Sequence, residues 1–142
     1  MVSWVGAANA AIVTPEYMQQ ISLGAARMIY KLRYWAKLKC DDLATGVDLV
    51  VWDFGVNAGV PASARTLQQV VGTTQDGIIG PITLDAANSW HPEPLVHALI
   101  TNHDRYYRSL NDPRHLNGWL NRQTSLQTEA LKRISASLEV SS

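Results

Sequence analysis

The densest run of apolar positions in this chain lies between Gly46 and Gly59, GVDLVVWDFGVNAG, where nearly every residue is apolar or small. A helix that is hydrophobic all round sits inside a domain rather than on its surface. The run therefore predicts a central helix over about 46–58. Asp53 and Asn57 break the pattern in its second half, four apart and so on one helical face. A carboxylate and an amide in such a place need hydrogen-bond partners, since stranding a buried polar group costs on the order of several kcal/mol. They either hold neighbouring segments together or line a polar cleft.

Around this run the pattern predicts further helices. Thr14-Pro15-Glu16 is a helix start, with Thr as cap, Pro in the first turn and Glu at the positive end of the dipole. Ile29, Leu32 and Ala36 share one stripe, and Tyr30 and Tyr34 a neighbouring one, as in an amphipathic helix reaching Trp35. Gly59 closes the central helix, and Pro61 sits at the first turn of the next, Ala62 to Val71, which Gly72 ends. Asp76-Gly77 is a tight corner, and Gly80-Pro81 opens a helix to about Trp90. His91-Pro92-Glu93-Pro94 reads as a hard break. A long helix follows, with Leu95, Leu99 and Ile100 inward and Tyr106, Tyr107 and Leu110 near its end, stopped by Asn111-Asp112-Pro113. The last helix is expected from about Gly118 to Leu138, with Trp119, Leu126, Ala130, Leu131 and Ile134 on one stripe. No strand pair is predicted. The fold class is all-α: an apolar segment over 1–13, then a single helical domain over 14–140.

Composition narrows the function classes. A chain of 142 residues with 46% hydrophobic content fills one domain with a proper core. Twelve basic residues balance twelve acidic ones, so the basic footprint of a nucleic-acid binder is missing. The single Cys40 excludes an internal disulfide framework or a multi-cysteine zinc site and reads as a small, partly buried residue at a helix end. The four histidines are scattered; His97 and His103 fall on different helical faces and read as surface or capping residues rather than metal ligands. No cofactor is implied. No apolar run approaches the roughly 18 residues of a membrane span. Residues 1–13 lack the basic start of a secretory signal, so synthesis in the cytoplasm is expected, with action at a cell wall requiring release.

Three segments gain meaning together. Ile29-Tyr30 and Tyr34-Trp35 cluster aromatic groups at a helix end; such groups belong to a core or, in a groove, stack on sugars. Asp53-x3-Asn57-x-Gly59 is the central polar pair. Leu67-Gln68 precedes Asp76-Gly77-x2-Gly80-Pro81-x-Thr83, a corner between helices whose residues, with Gly59, read as architectural. In this order, and with Tyr106-Tyr107 and Gly118-Trp119-x2-Arg122, the segments resemble the C-terminal, predicted peptidoglycan-binding part of glycoside hydrolase family 108. These are lysozyme-like muralytic proteins of phages, prophages and bacteria, some called secretion activators. The resemblance runs from about Ile21 to about Thr128. It implies a lysozyme-like helical fold and bacterial peptidoglycan as partner.

One departure matters. The family's catalytic Glu stands in a Glu-Gly-Gly motif near its start, and here the corresponding Met1–Val13 has no acidic residue. Glycoside cleavage ordinarily needs an acid for the leaving oxygen and a second carboxylate. Glu16 is a weak stand-in; Glu93, Glu129 and Glu139 are not placed near Asp53. Three readings follow. The first is a binding module in which Tyr34, Trp35, Asp53 and Asn57 contact the wall polymer without cutting it. The second is an active endolysin whose acid is unidentified. The third is an interaction protein using exposed apolar surface to bind another protein or itself.

Overall fold

The computed structural model describes residues 28, 29 and 31–141. Among them are helical residues at 28–29 and 31–37, five further α-helices, one short 3-10 turn and no strand. The all-α expectation holds, with the apolar run at its centre. The expected helix start at Thr14-Pro15, residues 1–13, Glu16 and Tyr30 lie outside the described residues. The chain divides into two compact units, residues 1–34 and 35–142. Of the first, only 28, 29 and 31–34 are described, and Met28 and Leu32 are exposed there. Leu32 therefore does not lie on a buried stripe.

The second unit is built on α1, Val47–Ala58. Val47, Val50, Val51 and Phe54 are wholly buried, and they are joined in the core by Leu38, Leu67, Leu95, Val96 and Leu99. Its start needs a glycine for two reasons. Gly46 has φ +90°, and a Cβ there would lie 2.9 Å from the carbonyl oxygen of Ala130 and 2.7 Å from Ile134. Its end needs one too: Gly59, φ +102° and ψ 152°, is at once the C-terminal cap of α1 and the N-terminal cap of α2, Val60–Val71. That conformation lies outside the left-handed helical region the sequence pattern suggests, and glycine alone reaches it at low cost.

The corner after α2 is tied by one buried side chain. Gln68 Nε2 donates to Asp76 Oδ1 at 2.8 Å and to the Ile78 carbonyl at 2.9 Å, and it lies 3.2 Å from Thr83 Oγ1. Gln68 Oε1 accepts from the Gly77 N–H at 3.0 Å. Asp76 Oδ1 also takes the Ile78 N–H, and these bonds lower its pKa. Gly80 is the extended cap of α3, Pro81–Asn88, with Pro81 in its first turn.

Two boundaries differ from expectation, both because of proline. α4 spans Pro92–Ser109, so Pro92 and Pro94 lie inside its first turn rather than forming a break. The first N–H groups of a helix have no internal partner, so proline loses nothing there. By the same logic α5 begins at Pro113 and runs to Ser141, taking Gly118 into its interior. Leu110 caps α4 and is exposed. Cys40 is buried, its thiol pushed up to about 12 by desolvation and then by Asp48 and Asp41.

Candidate functional site

The site grows from α1. Asn57 Nδ2 donates to Asp53 Oδ2 at 3.3 Å across one helical turn. The other oxygen, Asp53 Oδ1, accepts from Arg122 Nη2 of α5 at 2.6 Å. The pair is lopsided: the Asp53 side chain is 5% exposed and that of Arg122 57%. Its acidic end is in the core and its cationic end at the surface. The bond to Asp53 raises the Arg122 pKa further. Tyr107 of α4 borders the pair, its hydroxyl pushed up to about 12 by burial first and by the Asp53 charge second, with a bond from Asn57 acting the other way.

Rings surround these groups. Tyr107 lies 5.3 Å from Trp119, which lies 5.7 Å from the His115 ring. Tyr106 meets Tyr107 edge-on at 5.6 Å. Phe54 lies beneath, edge-on to both tyrosines. Tyr106 and Trp119 are half-buried, while Asn57, His115 and Arg122 are exposed. Half-buried rings thus border exposed hydrogen-bonding groups, and the Asp53–Arg122 pair carries no net charge. Such a surface suits an uncharged polar ligand with an apolar face.

Of the four residues read as a cleft, the structure brings Asp53 and Asn57 together. Trp35 makes other contacts: its Nε1 donates to Asp41 Oδ1 at 2.8 Å and its ring meets Trp52 edge-on at 6.1 Å. Tyr34 is half-buried and belongs to the first unit. Arg122, Tyr107, Trp119 and His115 are site members that were not read as such. Arg122, Tyr107 and Trp119 stand in the motifs that carry the family resemblance, which was the available signal.

His103 corrects an expectation. It is no surface or capping residue but fully buried, stacked on Phe54 at 3.8 Å and 7°. Neither ring nitrogen has a hydrogen-bond partner, and burial lowers its pKa to about 3. Next to it Asp104 has one buried oxygen without a partner, and desolvation raises its pKa. Among the described residues no three His, Cys, Asp or Glu side chains gather to hold a metal, and no helix is long and apolar enough to cross a membrane.

Comparison with known proteins adds to this geometry. Residues 3–59 match the model of glycosyl hydrolase 108, and residues 62–124 match a second model described as a predicted peptidoglycan domain. The chain is thus similar to glycosyl hydrolase 108 proteins over its first part and to the predicted peptidoglycan domain over most of the rest. The first match begins at residue 3, well before Ile21. Among solved structures, SagA of Brucella abortus is similar at 27% identity with a TM-score of 0.75, covering 94% of this chain and 78% of that one. No curated protein sequence matches. The seam between the two matched segments falls at 60–61, where α1 gives way to α2, yet the site ignores it. Asp53 stands in the first segment and Arg122 in the second.

Proposed function

We propose that this glycosyl hydrolase 108 relative is a peptidoglycan-recognising module of phage or prophage type that does not itself cut the glycan. The observation that carries the reading is the neutral Asp53–Arg122 pair with exposed Asn57, bordered by Trp119, Tyr106 and His115. Pyranose rings offer apolar faces to aromatic side chains and hydroxyl and acetamido groups to Asn and Arg. Both oxygens of Asp53 already accept hydrogen bonds, which makes it a fixed acceptor rather than a proton donor. The proposal has the protein act at the bacterial cell wall, after release from the cell that makes it.

The test is co-sedimentation with purified sacculi, with soluble muropeptides assayed in the same tubes. Binding without release is expected. Absence of binding would remove the reading, and release would make the protein an enzyme.

A further inference from the structure

A cavity of about 490 Å³ opens near the other end of α1, away from Asp53 and Arg122. Its walls come from three places: Ala44 and Thr45 before α1, His91 to Pro94 at the start of α4, and Ile134, Ser137 and Leu138 late in α5. The volume lies in the range of small-molecule sites, roughly 300–1,000 Å³. The Gly46 contact against Ala130 and Ile134 fixes α5 beside the loop that forms one wall.

The lining states what it would hold. Ala44, Ile134 and Leu138 are apolar, and Pro92 and Pro94 add hydrocarbon without an N–H. Glu93 is the one acidic side chain in the lining, and no Lys or Arg joins it. His97 lies 3.9 Å from a Glu93 oxygen, at the outer limit of an ion pair, so the carboxylate keeps room for a second cation. An apolar wall ending in one carboxylate complements an alkyl chain ending in an ammonium. We infer that this cavity is a second binding site, which takes the alkylammonium side chain of a diamino acid in an uncrosslinked stem peptide. The choice of a stem peptide rests on the peptidoglycan reading above; the alkylammonium chemistry rests on the cavity alone.

The experiment is an NMR titration of the full chain with the synthetic tripeptide L-Ala-γ-D-Glu-L-Lys and with its Nε-acetylated form, beside sacculus binding of the same preparation. Shifts at Thr45, Glu93 and Leu138 are expected, with Glu93→Gln weakening binding about three- to fivefold, the effect of one part-exposed charge pair. Nε-acetylation should weaken it to the same degree, and Leu138→Lys, at an exposed position, should weaken it more. Tripeptide binding that survives acetylation, or shifts at Trp119 and Arg122 instead, would overturn the cavity site. No tripeptide binding alongside intact sacculus binding would overturn it while leaving the peptidoglycan reading standing. Tripeptide binding without sacculus binding would do the reverse, keeping an alkylammonium site and removing its wall assignment. A dimer that Leu138→Lys dissociates would show that a second copy fills the cavity and would also overturn it.

Discussion

His103 and Gln68 are both fully buried polar residues, and their surroundings give them opposite energetic roles. His103 has no partner for either nitrogen and its pKa falls to about 3. In the unfolded chain it titrates near 6.5, so the unfolded state gains a proton that the folded state refuses. Stability from this residue is constant above about pH 6.5 and falls as pH drops toward 3, by up to roughly 4 kcal/mol near pH 3.5. Denaturant titrations across that window should show the loss, and His103→Leu should flatten it. At neutral pH the same variant should be close to neutral or stabilising, because it removes a buried group that has no bond to lose. Gln68 is the converse. Its truncation leaves Gly77 N–H, the Ile78 carbonyl and Asp76 short of partners at once. Gln68→Ala should cost about 2–4 kcal/mol, read as a fall in the denaturation midpoint.

Between elements, close approach is the controlling quantity. Gly46→Ala must accept both a positive φ and a Cβ 2.9 Å from the Ala130 carbonyl, so α1 and α5 would have to separate. We expect a loss of about 2–3 kcal/mol from strain and overpacking. A thermal melt of the variant checks this, with a fall on the order of 10 °C for a chain of this size. At this scale much was legible. The all-round apolarity of 46–58 marked the central helix, and its observed bounds, Val47–Ala58, follow. Pro92 and Pro113 were misleading because proline stops a helix from within but is welcome in its first turn, and composition alone does not say which applies. His103 was illegible for a related reason: nothing in the sequence says that Phe54, forty-nine positions away, offers it a stacking face.

At the scale of the whole second unit, the Asp53–Arg122 bond joins positions 69 residues apart. The sequence announced Asp53 and Asn57 as an anomaly in an apolar run, but it could not name the partner. Burial requires only that a carboxylate be satisfied; which distant cation does so depends on how α5 packs on α1. Removing that cation strands a carboxylate whose side chain is 5% exposed. Arg122→Ala should therefore destabilise the fold by about 1–3 kcal/mol, less than a wholly buried pair because Arg122 is largely solvated. Trp119→Ala removes a half-buried ring and tests recognition more cleanly. Its sacculus affinity should fall about tenfold, roughly 1.4 kcal/mol, while the variant stays folded.

On the proposed function, the ring-bordered Asp53–Arg122 cluster receives the sugar. The most direct measurement follows the Trp119 indole N–H and the Asn57 side-chain amide by NMR while N-acetylglucosamine oligomers are titrated in. Saturable shifts are expected at both groups, lost in Trp119→Ala. Shifts confined to other parts of the molecule, or none at oligomer concentrations that match sacculus binding, would contradict it and return Asp53, Asn57 and Arg122 to a purely structural role.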